Sequence, residues 1–353
     1  MRRILQTTNM LGLVNYAKEP GSVELREVPV PDIGDEDVLL KIEAVGICGS
    51  DLHQYAGKQS WTVNYPVILG HEFAGTIAKL GARVKTFEEG ERVVSETAAQ
   101  LPPDSAFIRQ GLYNLDPNRL GFGYGVNGAM ASFAKVPARC LHRVPGSLAL
   151  ELAALTEPCC VAYNAVCVNS NLRLGETVAV IGPGPIGLLC AAMAKLSGAG
   201  HLIVIGTSAD ASRLEIAKRI GADTVLGAQG EEVLDWVKNL DDGYGVDLVI
   251  DAAGVSASLK LALDIVRPAG RITKVGWGPQ PLNFSLDQLV QRAVTLQGSY
   301  SHNWPIWEKV LSLLSSGRID LDPILNRISP LSEWRETFEE MSSGKIVKGV
   351  LKP

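Results

Sequence analysis

The residues of this chain best suited to chemistry lie in three short segments of its first half. Cys48 sits in Gly46-Ile47-Cys48-Gly49-Ser50-Asp51-Leu52-His53, His71 and Glu72 follow Gly70, and Glu157 precedes Pro158. Thiolate, imidazole and carboxylate are all zinc ligands. A catalytic zinc keeps one position open, so three or four ligands from separate loops would suffice. The long gap between Cys48 and His71 is unlike the spacing of a zinc ribbon. Adjacent residues on a regular strand point to opposite faces, so His71 and Glu72 can both face one ion only if the backbone bends there. From the residues alone two readings stay open, a metal site and a buried structural Cys48 near an ordinary histidine.

A second stretch with chemical meaning is Val178-Ala179-Val180-Ile181-Gly182-Pro183-Gly184-Pro185-Ile186-Gly187, followed by an apolar, Ala-rich segment over 188–196. A β-branched run flowing into G-x-G-x-x-G and then a helix is the context of a dinucleotide-binding turn. Gly182 permits the tight turn, Gly184 lets a pyrophosphate approach the backbone, and Gly187 lets helix and strand pack closely. The helix N-terminus then offers free N–H groups to the phosphates. An acidic residue at the end of the next strand would bind the ribose 2′-hydroxyl of NAD. Here that strand runs into Ile205-Gly206-Thr207-Ser208-Ala209-Asp210. Small hydroxyl residues stand where the acid is expected, and Asp210 reads as the N-cap of the following helix. Arg213 could meet a 2′-phosphate or be a solvated helix residue. The reading prefers NADP and keeps NAD open.

The elements that must position these residues fall into two groups. Strands at 178–181, 201–205, 223–226, 246–251, 271–275 and 294–296 alternate with helices near 188–196, 211–220, 231–240 and 257–265. Such alternation implies a parallel sheet covered on both faces, a Rossmann unit. Before it, short strands at 38–45, 73–77, 92–94 and 132–136 are punctuated by Gly and Pro. This predicts an antiparallel, barrel-like unit, with a boundary between about 150 and 160.

The 353 residues suit two domains, and 46% apolar content is enough for substantial cores. A net charge of −5 with no basic run argues against a nucleic-acid partner, and no apolar run reaches membrane-spanning length. Met1-Arg2-Arg3-Ile4-Leu5-Gln6 lacks a sustained apolar region, so no signal peptide is expected. The cysteines (48, 140, 159, 160, 167 and 190) form no C-x-x-C pair and no disulfide framework, which points to a reducing cytoplasm.

These motifs together resemble the zinc-dependent medium-chain dehydrogenases, in the polyol (sorbitol-like) and threonine dehydrogenase branch. The similarity is carried by Cys48-Gly49-Ser50-Asp51-Leu52-His53, by Gly70-His71-Glu72-Phe73-Ala74-Gly75 through Gly81 to Gly90-Glu91-Arg92-Val93, by Glu157-Pro158 and by Gly182 to Gly187, over essentially the whole chain. The resemblance implies an α/β architecture. A GroES-like β-barrel-type catalytic domain (1–155 and 299–353) is joined to a Rossmann doubly wound domain (156–298). It implies Cys48, His71 and Glu72 as zinc ligands, with Glu157 a fourth ligand or a nearby carboxylate that exchanges with water or substrate. Ser50 would hydrogen-bond the substrate hydroxyl and His53 would pass its proton outward. Pro183, Pro185 and Ile186 would contact the cofactor with the three glycines, and Thr207, Ser208 and Arg213 would meet its ribose end. Tyr300 and His302 would be substrate contacts near the domain boundary or crossover packing.

The reaction implied is hydride transfer between NAD(P) and a secondary alcohol (a polyol, sugar or sugar acid), giving the ketone. The alternatives are a threonine- or vicinal-diol-type dehydrogenase and, more remotely, a zinc-free quinone or enone reductase or a non-enzymatic structural relative. Relatives form homodimers or homotetramers, and one of these is expected. One departure from the family stands out. Relatives often hold a second zinc through cysteines spaced C-x-x-C-x-x-C-x7-C. The matching positions here are Pro102, Ser105, Ile108 and Asp116. The expectation is one catalytic zinc and no structural zinc, with the lobe packed through Phe107, Ile108 and Tyr113. The tail predicts helices over 305–315 and 331–342, the second capped by Ser332.

Overall fold

The computed structural model describes residues 8–227, 230–240, 242–278 and 280–353. The amino-terminal stretch read for a leader lies outside the described residues. The chain divides into two compact units. The first comprises 1–157, 303–315 and 325–353, and the second 158–302 and 316–324.

The first unit is built on strands. In order they are β1 (Asn9–Asn15), β2 (Val23–Pro29), β3 (Asp37–Gly46), β4 (Val67–Ile68), β5 (Glu72–Leu80), β6 (Arg92–Ser95), β7 (Phe133–Pro137) and β8 (Leu141–Arg143). β3 is the organising strand. It pairs antiparallel with β5 and β7, and bulges in the β3–β5 ladder bend both strands. The apolar faces of β3 and β5 enclose a core in which Phe73 meets Phe122 edge to face at 5.3 Å.

The second unit contains β9 (Thr177–Ile181), β10 (His201–Gly206), β11 (Thr224–Gly227), β12 (Val246–Asp251), β13 (Val266–Lys274) and β14 (Thr295–Gly298). All are parallel, in the order β11-β10-β9-β12-β13-β14. β9 and β12 are neighbours although two strands separate them in sequence, so the strand order reverses between them. That is the switch point where doubly wound sheets bind ligands. β9 is buried along its full length, which is why it reads as an unbroken apolar run.

The first unit is completed by β15 (Leu325–Pro330) and β16 (Lys348–Lys352). β16 adds antiparallel to β3, with β15 parallel beside it. The sheet is therefore β15-β16-β3-β5-β6-β8, with one parallel pair in an otherwise antiparallel set. The last helix is Trp334–Ser342, preceded by a 3-10 turn at Leu331–Glu333. Ser332 lies inside that turn and does not cap the helix. Trp334 and Phe338 face inward against Tyr55, with rings 5.5 and 5.9 Å from the tyrosine.

The lobe at 101–119 is held by polar contacts. Phe107 and Ile108 are each 37% exposed, because the four-residue helix Ala106–Arg109 buries none of its side chains. Packing through these two residues is therefore corrected. Ser105 hydrogen-bonds Asp116 and caps the helix at the Phe107 N–H, so two of the positions matching cysteines are joined to each other. Tyr113 donates to Glu96 Oε2 at 2.6 Å and accepts the Trp304 N–H at 2.6 Å, while Asn303 donates to the Gly111 carbonyl at 3.1 Å. Glu96 also faces His142, which stacks on Trp307. Losing one buried bond of this kind costs about 1–3 kcal/mol. Tyr113→Phe is expected to speed amide exchange across 101–119, whereas a zinc chelator leaves that exchange unchanged. Chelator-induced loosening would mean that a metal holds the lobe.

Candidate metal centre and cofactor turn

Strand register brings the candidate ligands together. Gly46 at the end of β3 pairs with Glu72 at the start of β5. The chain leaving β3 toward Cys48 therefore meets the chain arriving through His71. His71 lies just outside the strand and follows Gly70, whose φ is +94°, a left-handed value that glycine adopts without strain. This is the bend that lets His71 and Glu72 face the same point. One ligand atom from each of Cys48, His71 and Glu72 lies within 4.8 Å of the others. Gly46 is required here, because a Cβ on it would collide with the Glu72 carboxylate.

The surroundings of the cluster are rich in buried charge. Asp51 is fully buried on the helix Gly49–Tyr55; its Oδ2 accepts the Cys48 N–H at 2.9 Å and its Oδ1 lies 4.0 Å from His71 Nδ1. A carboxylate behind a ligating imidazole orients the ring and raises its basicity. Lys348 Nζ donates to Glu72 Oε1 at 2.7 Å and to the Ile47 carbonyl at 2.7 Å. Asp51 Oδ1 and Glu72 Oε2 are buried acceptors outside any well-aligned hydrogen bond, although the Lys348 ammonium lies 2.6 Å from Glu72 Oε2. The Glu72 carboxylate beside a thiol and an imidazole suits a zinc ion. Glu157, largely buried, is not one of the three clustered ligands, but its charge acts on His71 and Glu72. Lys348 carries no motif signal, and the motif that contains Gly46 and Asp51 does not announce these roles for them. The pairing of β3 with β5 and β16 reveals Gly46 and Lys348, and the helix that starts after Cys48 reveals Asp51.

Burial alone would lower the His71 pKa, but Cys48, Asp51 and Glu157 outweigh it and hold the imidazole well above its ordinary value. Burial raises the Glu72 carboxyl, opposed by Lys348 and reinforced by Glu157. Both groups bind protons more tightly folded than unfolded. Their contribution to metal-free stability is present in full below the unfolded pKa and is lost as pH rises through the folded value. A metal must displace these protons. Zinc uptake is therefore expected to release protons, and the gain in Tm on adding zinc to widen between about pH 6 and pH 8. A gain that does not change with pH would contradict this reading of the site.

Ser50 is partly buried and His53 is exposed, three residues apart on the helix that starts after Cys48. Residues at this spacing lie on one helix face. Tyr300 and His302 belong to the second unit, where Tyr300 lies 5.6 Å from Trp277 and His302 is buried.

In the second unit, Gly182 ends the β9 turn with φ +95°, and a Cβ there would strike Ala253, just beyond β12. Asp251 is buried and fixes this neighbour, accepting the N–H groups of Ala253 and Gly254 and the Ser258 hydroxyl. Gly184 is the N-cap of the helix Pro185–Leu196, with Pro185 at its first position. The first helical bond runs from the Leu188 N–H to the Gly184 carbonyl, so the amides of Ile186 and Gly187 precede it. A Cβ on Gly187 would run into the Gly182 carbonyl, whereas nothing lies within 4 Å of one on Gly184. Thr207 and Ser208 are exposed. Asp210 stands at the N-cap position of Ala211–Arg219, yet its carboxylate turns back to the Thr207 N–H and hydroxyl, at 2.9 and 2.7 Å. Its other oxygen accepts from Arg213 at 3.3 Å, and Arg213 Nε is buried without an acceptor.

A thiol–imidazole–carboxylate cluster in a β unit and a dinucleotide turn in a parallel α/β unit define a metal-dependent dehydrogenase. The chain belongs to the zinc-binding alcohol dehydrogenase family: residues 34–146 match the alcohol dehydrogenase GroES-like domain and residues 185–316 the zinc-binding dehydrogenase model. It is 35% identical to the D-arabitol-phosphate dehydrogenase of Enterococcus avium, over 96% of each chain. It is also 35% identical to the sorbitol dehydrogenase of Halalkalibacterium halodurans, over 98% of this chain and 99% of that one. Among solved structures, a zinc-binding dehydrogenase from Sinorhizobium meliloti 1021 bound to NADP is 25% identical with a TM-score of 0.88, covering 98% of this chain and all of the other.

Proposed function

We propose that this chain oxidises a secondary alcohol bearing neighbouring hydroxyls (a polyol, sugar or sugar acid) to its ketone, reversibly and with NAD(P). The observation that carries the reading is the convergence of Cys48, His71 and Glu72 within 4.8 Å. Those three would hold one zinc, with Glu157 near enough to act on it electrostatically. When bound, zinc supplies Lewis acidity at the substrate oxygen and makes its hydroxyl more acidic. Ser50 would accept that proton as its own hydroxyl proton passes on toward His53, which is exposed one helical turn on and delivers it to solvent. Asp51 holds His71 in place. In the second unit the Gly182–Gly187 turn and the amides of Ile186 and Gly187 bind the cofactor pyrophosphate.

Polyol substrates are supported by the sorbitol and arabitol-phosphate dehydrogenases among the relatives. NADP is favoured over NAD because the Asp210 carboxylate is occupied by Thr207 and Arg213, and the exposed Thr207 and Ser208 hydroxyls stand where an acid would bind the ribose of NAD. Ser208→Asp is expected to shift the NAD/NADP ratio of kcat/KM toward NAD by about tenfold or more; an unchanged ratio would remove this pocket from the account. Assembly into two or four copies is favoured by the open edge of β14, the last strand of its sheet. The reducing cytoplasm is favoured by six cysteines that form no disulfide. No described helix is long and apolar enough to cross a membrane. Steady-state turnover on a panel of polyols, polyol phosphates, sugar acids and threonine tests the substrate class. Turnover on threonine alone would select the amino-alcohol reading.

A further inference from the structure

We propose that Lys348 is a positioning residue that holds Glu72 against the pull of the metal and thereby sets how tightly the site takes zinc. The inference rests on the zinc reading above and concerns a residue near the end of the chain that has no part in the ligand set.

The geometry begins with strand pairing. β16 lies antiparallel on β3 with Val350 opposite Gly46 and Leu351 opposite Val45, and Ile47 donates its N–H to the Gly349 carbonyl at 3.0 Å. Continued by two residues, this register sets Lys348 across from Cys48. Its ammonium bridges the two ligand-bearing segments. One N–H goes to the Ile47 carbonyl at 2.7 Å and another to Glu72 Oε1 at 2.7 Å, with Oε2 at 2.6 Å. Lys348 is 2% exposed and Glu72 is fully buried.

A buried carboxylate needs a cation or a full set of donors, and removing its partner leaves an uncompensated charge. In the metal-free protein Lys348 is that partner. A zinc ion at the cluster brings two further positive charges to the same carboxylate, beside the Cys48 thiolate. The lysine and the metal therefore compete for Glu72. With the lysine, the metal-free site is stable and the carboxylate is shared. Without it, the metal-free site loses the ammonium that bonds Glu72 directly, leaving the buried carboxyl without its hydrogen-bonded cation, and the metal receives the whole carboxylate. Both effects act in one direction. A change that destabilises the metal-free form more than the loaded form must raise metal affinity by the same free energy.

The test uses the full-length protein and zinc alone, with affinity read by competition against a chromogenic chelator and Tm measured with and without zinc. Lys348→Met is expected to bind zinc about tenfold tighter or more, and to lose more Tm metal-free than loaded. Lys348→Arg, which keeps the cation, is expected to stay close to the unaltered protein. If metal-free Lys348→Met does not survive, protein purified in zinc is expected to release it to the chelator about tenfold more slowly. Unchanged or weaker affinity in Lys348→Met, equal loss of Tm in both forms, or release as fast as in the unaltered protein would overturn the proposal. Absence of zinc binding by the unaltered protein would instead remove the zinc reading on which it stands.

Discussion

Replacing Cys48 with alanine is expected to abolish both zinc retention and turnover while leaving cofactor affinity unchanged. The cluster offers one thiol, one imidazole and one carboxylate within 4.8 Å. Loss of the thiolate leaves too few ligands to hold the ion against chelators or dialysis. Lewis-acid assistance of this kind supplies several kcal/mol of transition-state stabilisation, so the expected fall in rate is roughly a thousandfold or more. The glycine turn that binds the cofactor belongs to the other compact unit, so NAD(P) binding, read by fluorescence titration, should survive. Cys48 lies at the N-cap of its helix and its N–H is fixed by Asp51. Cys48→Ser keeps the size and the cap and should lose zinc, and with it the gain in Tm that zinc gives, with little change in the metal-free Tm. Full turnover by a zinc-free Cys48→Ala preparation would remove the metal from the mechanism.

The second large effect is expected at the glycine turn, where two glycines three residues apart should fail in different ways. A side chain at Gly187 is driven into the Gly182 carbonyl of the same turn. Gly187→Val should therefore destabilise the fold by about 1–3 kcal/mol or more, visible as a fall in Tm without cofactor. At Gly184 nothing stands within 4 Å, and the backbone has φ −71° and ψ −179°, which any residue adopts. Gly184→Val should leave Tm unchanged and weaken NAD(P) by about tenfold or more, because its side chain would occupy the place of the pyrophosphate. Equal cofactor affinity in Gly184→Val and the unaltered protein would mean that the phosphates do not lie on this turn.

Much of the second unit was legible because its strands are buried on both faces. Val178 to Ile181 and Leu248 to Ile250 read as unbroken apolar runs, and glycine marks the turn between strand and helix. Its edges were harder to read. β13 starts at Val266 and passes through Pro268-Ala269-Gly270, a sequence that looks like a turn, with Ala269 at φ +60°. In the first unit, sequence supplied the ligand types but could not say that His71 and Glu72 converge, since that depends on where β5 begins. Lys348 was invisible for a related reason. Its bond to the Ile47 carbonyl spans 301 positions and exists only because β16 lies on β3. Phe107 and Ile108 misled because apolar residues on so short a helix have no face to bury. The lobe is tied instead through Ser105, Tyr113 and Asn303, whose hydrogen-bond partners no local pattern announces.

The central claim is that Cys48, His71 and Glu72 form a single zinc site on which turnover depends. The measurement that tests it most directly is zinc content per chain by elemental analysis, made on the preparation whose turnover on a secondary polyol is recorded. The expected result is about one zinc per chain, with activity falling in proportion as zinc is withdrawn and returning as it is restored. A fully active preparation without zinc would contradict the claim.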